Sequence, residues 1–134
     1  MEKYFKIVSF IVYLISFFMP VFVGDDSMGY LAFLAGLTSY PLPWSANVFY
    51  IISLSLKKRL WVERLVCSFL AIALACTTFS IHEIDGIGSE SEPVKVSVGI
   101  GFYFWFGSFF ILLVGIFLGK RSNKDAVRDT HRIT

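Results

Sequence analysis

The residues best suited to metal binding lie together in one polar stretch of the chain. His82, Glu83 and Asp85 carry imidazole and carboxylate groups, which are common ligands of zinc. They are near neighbours in a single loop, and no second cluster of such residues accompanies them. The sequence also contains neither a readable nucleophile–base pair nor a glycine loop of the kind that binds phosphate. We therefore predict no metal site, no cofactor and no enzymatic activity.

Polar groups within the apolar stretches are few. Asn47 is the only amide among them, and a polar side chain in hydrocarbon needs a partner. We expect Asn47 to bond a neighbouring helix, with contact to a ligand or an ion as the alternative. The hydroxyls of Thr77, Thr78 and Ser80 are expected to bond back to their own helix. No ionisable side chain is expected at mid-membrane depth, which argues against an ion-coupled transporter.

The two cysteines, Cys67 and Cys76, share one apolar segment. Over their separation a helix turns ~900° and rises ~13.5 Å, which places them on opposite faces. A disulfide requires Cα atoms within roughly 7 Å of each other. We therefore expect no bridge between them and interpret both as small buried apolar residues.

Apolar helices must position these residues, because the composition is that of a membrane protein. Of 134 residues, 56% are hydrophobic and 16% are charged, against about 25% charged in soluble domains. Residues 96–119 carry no charge, and about 20 helical residues cross a ~30 Å hydrocarbon layer. The predicted fold is all-α, an integral membrane four-helix bundle. The net charge of +2 is too small to suggest a nucleic-acid partner.

The pattern predicts one transmembrane domain over residues 1–119, followed by a cytoplasmic polar tail at 120–134. Its spans are predicted at about 4–23, 42–60, 60–81 and 96–119. A cleaved signal peptide is the alternative for the first of these. It is disfavoured because the apolar run is long and Val21, Phe22 and Val23 do not form a small-residue cleavage site.

The uncharged stretch between the first two charged turns is too long for one straight span. Residues 27–56 would form a helix of ~45 Å, and Pro41 and Pro43 interrupt it. We predict a short interfacial or re-entrant helix at about 29–39, followed by the second span. One kinked, tilted helix is the alternative. Tyr40, Trp44 and Trp61 are interpreted as anchors at headgroup depth.

The charges predict the orientation, because positively charged loops stay in the cytoplasm. In a four-span chain nearly all basic residues fall on one side, and the acidic residues of the loops fall on the other. The basic side comprises Lys3, Lys6, Lys57, Lys58, Arg59, Arg64, Lys120, Arg121, Lys124, Arg128 and Arg132. Only Lys95 lies opposite, with Asp25, Asp26, Glu83, Asp85, Glu90 and Glu92. Both termini are therefore expected to be cytoplasmic in a multi-pass arrangement.

Small residues recur at helical spacing in the last two spans. They are Gly101, Ser108, Gly115 and Gly119 in the last span, and Cys67, Ala71 and Ala75 in the third. Small residues let helix backbones approach closely in lipid, where no hydrophobic force drives helices together. We expect the two stripes to pack against each other within one bundle. The alternative is a homodimer face formed by Gly115 and Gly119.

Two short elements resemble a loose set of small, uncharacterised bacterial four-span inner-membrane proteins. Trp44-Ser45-Ala46-Asn47 resembles a Trp-x-Ala-Asn element that opens the second helix of those proteins. Residues 99–105 with Ser108 are similar to a Gly-x-Gly-aromatic-Tyr-x-Trp-x-x-Ser element in their last helix. The chain departs from the pattern at Val48, where those proteins often carry proline. The resemblance implies a bacterial inner-membrane location and supplies no established activity.

These observations favour a non-catalytic function within the bilayer. We expect a binding or accessory role towards another membrane protein, of which immunity to a pore-forming toxin would be one form. The alternative is an oligomeric channel or transporter subunit for a small molecule or lipid. A membrane enzyme is the third possibility, disfavoured because paired catalytic groups are missing from the sequence. The expected partners are the lipid bilayer and another membrane protein.

Overall fold

The chain folds mostly into helices, which confirms the predicted helical class. The computed structural model describes residues 2–23, 29–39, 41–81, 83–84, 94–95 and 97–130. The helices are α1 Glu2–Ser16, α2 Gly29–Ser39, α3 Pro41–Ser55, α4 Trp61–Cys76 and α5 Ile100–Thr130, and a 3₁₀ turn at Thr77–Ser80 follows α4. Two short antiparallel ladders, which the sequence did not indicate, pair β1 Phe22–Val23 with β4 Ser97–Val98 and β2 Glu83–Ile84 with β3 Val94–Lys95.

The first helix ends well before the predicted limit at residue 23. α1 stops at Ser16, and the amide of Met19 donates to the Ser16 carbonyl at 3.3 Å in a tighter, turn-like bond. Pro20 follows, and it has no amide hydrogen with which to continue a helix. The amide of Gly29 then donates to the Met19 carbonyl at 2.9 Å. The first amide of α2 thus satisfies a carbonyl that the end of α1 leaves free.

α2 and α3 are separate helices whose axes are not continuous. In a continuous helix, residues 36 and 44 would be ~12 Å apart along the axis. A Cβ at Gly36 would instead lie 3.4 Å from Trp44 Cδ1, and the rings of Phe33 and Trp44 are 5.7 Å apart between centroids. The two helix axes therefore meet at a sharp angle, as the two prolines at residues 41 and 43 suggest. α2 has the bounds that the sequence predicts for the short helix.

α1 and α5 pack antiparallel along most of α1. Gly115 lies against Phe5 near the start of α1, and Gly101 lies against the carbonyl of Met19, just beyond its end. A Cβ at Gly115 would be 2.5 Å from Phe5 Cβ, so only glycine permits this approach of the two helices.

α4 and α5 also run antiparallel. The ring of Phe79 lies 4.9 Å from the ring of Phe102 at one end of the pair. At the other end, Lys120 Nζ lies 3.3 Å from the ring centroid of Trp61. α3 connects to α4 through the short basic turn at residues 56–60, which makes those two helices a hairpin.

α5 differs from the predicted fourth span at both ends. It begins at Ile100 rather than at residue 96, because residues 97–98 pair with β1 and the Gly99 amide donates to the Val21 carbonyl at 2.6 Å. α5 is 31 residues long and ends at Thr130, within the segment predicted as a polar tail. No glycine or proline follows Gly119 to end it.

Two helical segments of the described chain are long and apolar enough to cross a membrane. They are Trp61–Ser80, which joins α4 to the 3₁₀ turn, and Ile100–Lys120 within α5. α1 and α3 have 15 residues each, which is ~22 Å of helix. They would need the residues that follow them to reach a ~30 Å thickness.

The centre of the bundle combines aromatic and small apolar residues with many polar ones. Ala46, Ala71 and Ala75 are fully buried, and the rings of Tyr13 and Tyr50 stack with centroids 4.8 Å apart. The buried polar and charged residues are Glu2, Ser9, Ser16, Asn47, Ser53, Arg64, Ser68, Thr78 and Ser108. Many large apolar side chains lie on the outside instead.

Candidate functional site

Asn47 connects three helices through its side-chain oxygen. Oδ1 accepts from Tyr13 Oη of α1 at 3.0 Å and from Trp105 Nε1 of α5 at 2.8 Å. Nδ2 donates to the carbonyl of Trp44, within the same helix, at 3.1 Å. Asn47 is 5% exposed, so these bonds are formed away from solvent. We refer to Tyr13, Asn47 and Trp105 as the Asn47 network.

A second set of polar contacts lies next to this network, deeper in the bundle. Ser9 Oγ is 2.8 Å from Tyr50 Oη and donates to the carbonyl of Ser108 at 2.7 Å. Since that bond uses the one hydroxyl hydrogen of Ser9, Tyr50 is the donor in their mutual contact. Ser108 Oγ donates to the Trp105 carbonyl of its own helix at 2.6 Å. These bonds join α1, α3 and α5 without any charged group.

A cavity of about 90 Å³ adjoins the Asn47 network at the end of the bundle where α2 lies. It is partly open to the surface. Its wall contains the rings of Phe17, Phe33, Trp44, Phe102 and Trp105 and the polar side chains of Ser16, Asn47 and Thr78. We call it the Trp44 cavity.

Two buried polar atoms in this wall lack hydrogen-bond partners within the described part of the chain. They are the indole nitrogen of Trp44 and the hydroxyl of Thr78. Thr78 is 4% exposed. Its neighbour Thr77 donates to the Leu74 carbonyl at 2.6 Å, as expected for a helical hydroxyl. The same expectation for Thr78 is wrong, because its hydroxyl has no partner among the described residues.

The opposite end of the bundle contains a buried ion pair. Arg64 is 1% exposed, its Nη1 donates to Glu2 Oε1 at 2.6 Å, and its Nε donates to the Ser53 carbonyl at 3.2 Å. Lys6 Nζ donates nearby to the carbonyl of Leu54 at 2.8 Å. This end therefore gathers basic side chains from α1 and α4 around one carboxylate.

Sequence reasoning assigned Arg64 only to the basic side of the chain and did not predict its burial. Arg64, Ser68, Ala71 and Ala75 follow one another at intervals of four, three and four residues, so they share one helix face. All four are buried, whereas the adjacent Glu63 is exposed. The spacing of Arg64 from the small residues of α4 was the signal that could have predicted the burial of Arg64.

The two small-residue stripes occupy different interfaces. Gly101 and Gly115 face α1, and a Cβ at Gly119 would lie 2.5 Å from Glu2 Oε2. Ala71 and Ala75 of α4 belong to the central core instead. The stripe of α5 thus meets α1 rather than the stripe of α4, and Gly115 and Gly119 are covered by residues of the same chain.

The cysteines and the expected interface anchors have varied surroundings. Cys67 is half-buried, whereas Cys76 is exposed, contrary to the expectation that both are buried. Trp44 faces the cavity rather than the surface, and Trp61 is half-buried beneath Lys120. Tyr40, together with His82 and Asp85, lies outside the described residues.

The two sequence elements that carried the resemblance converge on this site. Trp44 and Asn47 belong to the first element, and Phe102 and Trp105 belong to the second. All four line the Trp44 cavity, and a hydrogen bond joins Asn47 to Trp105. In comparisons with known proteins, neither a family model, nor a curated protein, nor a solved structure matches this chain.

Proposed function

We propose that this chain is a multi-pass protein of a bacterial inner membrane with a non-catalytic binding role. The observation that carries the proposal is the inverted distribution of side chains. Large apolar residues such as Phe10, Ile51, Phe69 and Phe117 are 43–50% exposed, while serines, an asparagine and an arginine are buried. A water-soluble domain normally buries the former and exposes the latter. In lipid, apolar side chains face the solvent and polar groups satisfy one another inside.

Four crossings, with α2 at the outer surface, are the arrangement that fits this chain best. α4 with the 3₁₀ turn and α5 supply two crossings of full length. α1 and α3 pack beside them and would supply two shorter ones, extended by the residues that follow each helix. α2 packs against Trp44 at the start of α3 beside the cavity, which suits a helix that lies in the outer interface or dips into it.

The distribution of charge along the bundle supports cytoplasmic termini. Lys58 and Arg64 pair with Glu2 at one end, where Lys6 donates to the Leu54 carbonyl. Lys120 lies over Trp61 at the same end. The opposite end carries β1, the start of α5 and the Trp44 cavity. Since basic residues are retained in the cytoplasm, the cavity would face the outer side of the membrane.

The binding role that we propose is towards another membrane protein. Most of the buried polar side chains form hydrogen bonds within the bundle, which leaves the apolar outer faces of the helices available to a partner. In α4 that face includes Val62, Val66, Phe69 and Leu70, all exposed. Immunity to a pore-forming toxin is one specific form of this role. In that form, expression of the chain would protect cells from one toxin that acts within the bilayer.

The second candidate function is a channel or transporter subunit for a small molecule or lipid. The Trp44 cavity favours it, because a partly open pocket with unpartnered polar groups is a plausible place for a ligand. This function would need further copies of the chain to complete a path across the membrane.

Mild crosslinking followed by purification from native membranes separates the two candidates. Recovery of a different membrane protein at constant ratio is the result expected for a binding or accessory role. Recovery of the chain alone, as an oligomer of itself, would reject that role and favour the channel. An exposed-face variant, Phe69→Ala, should weaken recovery of a partner that docks on α4. The control Phe110→Ala changes a similarly exposed ring on α5.

A further inference from the structure

We propose that the Trp44 cavity binds an uncharged hydrogen-bond acceptor, such as an ester carbonyl, attached to an apolar tail. The inference begins from Trp44 and Thr78, which line the cavity and whose Nε1 and Oγ1 atoms are buried without partners in the described part of the chain. An unpaired buried polar group costs free energy that a bonded occupant would remove. An occupant that bonds both atoms therefore binds more tightly than one that only fills space.

The hydrogen-bonding inventory of the wall determines the polarity of the ligand. An indole N–H can only donate, and an amide nitrogen carries two hydrogens. Asn47 Nδ2 uses one of them on the Trp44 carbonyl, while its oxygen is already occupied by Tyr13 and Trp105. A threonine hydroxyl can donate as well. The indole and amide hydrogens can only donate, so these groups favour a ligand that presents an acceptor oxygen.

None of the described residues of the wall is ionisable, so they offer no counter-charge to a charged acceptor. A carboxylate or phosphate buried there would lose its hydration without gaining a counter-charge. A neutral carbonyl incurs no such penalty. The rings of Phe17, Phe33 and Phe102 form much of the remaining wall and suit hydrocarbon.

The size of the cavity limits how much of the ligand it encloses. About 90 Å³ is several times the ~10–15 Å³ that one water needs and less than the ~150 Å³ of an engineered cavity that admits benzene. The cavity therefore encloses the carbonyl and the first few carbons, while the tail leaves through the open side. Such a group could come from a phospholipid of the bilayer or from a free ester. Only the phospholipid source rests on the proposed membrane location.

Nuclear magnetic resonance of the indole N–H groups tests this directly, because the chain has three tryptophans. The full chain, labelled with ¹⁵N-tryptophan, is placed in nanodiscs of ether-linked phospholipid, which has no carbonyl. Methyl octanoate is then added, with octane as the probe that lacks an acceptor. We expect a saturable shift of the Trp44 signal with methyl octanoate, a far weaker response to octane, and an unchanged Trp61 signal. Trp→Phe variants assign the three signals.

Matched variants test the role of individual residues. Thr78→Val keeps the side-chain shape and removes the hydroxyl, so it should weaken methyl octanoate binding about three- to tenfold. Thr77→Val is its control, because that hydroxyl bonds Leu74 instead. Gly36→Leu narrows the cavity and should abolish binding, whereas Gly107→Leu points into open space. The Trp105 signal reports whether each variant retains the Asn47 network.

Ester-linked phospholipid nanodiscs then identify the source of the ligand. If Trp44 already gives the shifted signal there, the occupant is a lipid of the bilayer. If the signal shifts only on titration, the occupant is a free molecule, and both results support the site. Three results would overturn the proposed site and leave water as the occupant. They are no saturable shift of the Trp44 signal, an equal response to methyl octanoate and octane, and unchanged affinity for methyl octanoate in both Thr78→Val and Gly36→Leu. The crosslinking experiment does not read this cavity, so the two proposals can fail separately.

Discussion

Asn47 shows how one amide can specify the arrangement of three helices. Its oxygen accepts from Tyr13 and Trp105, whose polar atoms would otherwise be buried without an acceptor. The sequence could predict that Asn47 needs a partner, because an amide in an apolar span is costly. It could not predict which partner, since Tyr13 and Trp105 are far away in the chain and meet Asn47 only through the packing of α1 and α5.

Replacing Asn47 should therefore affect stability. We expect Asn47→Leu to lower the free energy of unfolding by about 1–3 kcal/mol, because two buried donors lose their acceptor. Unfolding by sodium dodecyl sulfate in mixed micelles measures this. Val48→Leu is the control, since Val48 is 39% exposed on the same helix. A fully stable Asn47→Leu protein that loses its copurifying partner would instead make Asn47 a contact residue.

The Glu2–Arg64 pair is the second residue-scale feature with a measurable effect. Glu2→Gln should destabilise the bundle by about 3 kcal/mol, because it leaves the Arg64 guanidinium buried without its counter-charge. Adding Arg64→Met should restore part of that loss, since the double variant contains no buried charge. Glu63→Gln is the control, because Glu63 is exposed. Equal stability of Glu2→Gln and Glu63→Gln would show that the ion pair contributes nothing.

At the scale of elements, the close approach of α1 and α5 depends on glycine. Gly115→Leu should destabilise the folded monomer by about 1–3 kcal/mol, because a side chain there collides with Phe5. Gly107→Leu should have little effect, since nothing lies within 4 Å of a Cβ at that position. The same unfolding measurement applies to both variants. If Gly115→Leu changed only the oligomer size and left stability intact, the glycine face would be a contact between copies.

The helices themselves were more predictable than their ends. The bounds of α2 follow from the glycine at its start and the prolines after it, and both are visible in the sequence. The start of α5 at Ile100, by contrast, is set by pairing between β1 and β4. That pairing joins segments about 75 residues apart in the chain, and hydropathy carries no information about it.

Part of the candidate site could likewise be read from the sequence. Trp44, Asn47 and Trp105 belong to the two short elements identified there. Thr78 could not be identified, because its difference from Thr77 lies only in the direction each side chain takes at the end of α4. One hydroxyl bonds back to its helix and the other borders the cavity.

At the scale of the whole molecule, composition predicted a bundle with an apolar exterior, and the described residues have that distribution. Polar groups inside and apolar groups outside are consistent with lipid as the solvent. The basic end and the cavity end of the bundle are opposite. With the basic end in the cytoplasm, as proposed, a ligand would enter the Trp44 cavity from the outer side of the membrane.

Topology reporters test the central proposal most directly. A reporter inserted near Ser89 and another placed after Thr134 should register in different compartments, with Thr134 in the cytoplasm. A third, placed after Lys58, should register with Thr134, because the first two crossings return the chain to the cytoplasm at that turn. Ser89 and Thr134 on the same face, or recovery of the untagged chain in the aqueous fraction, would contradict the account.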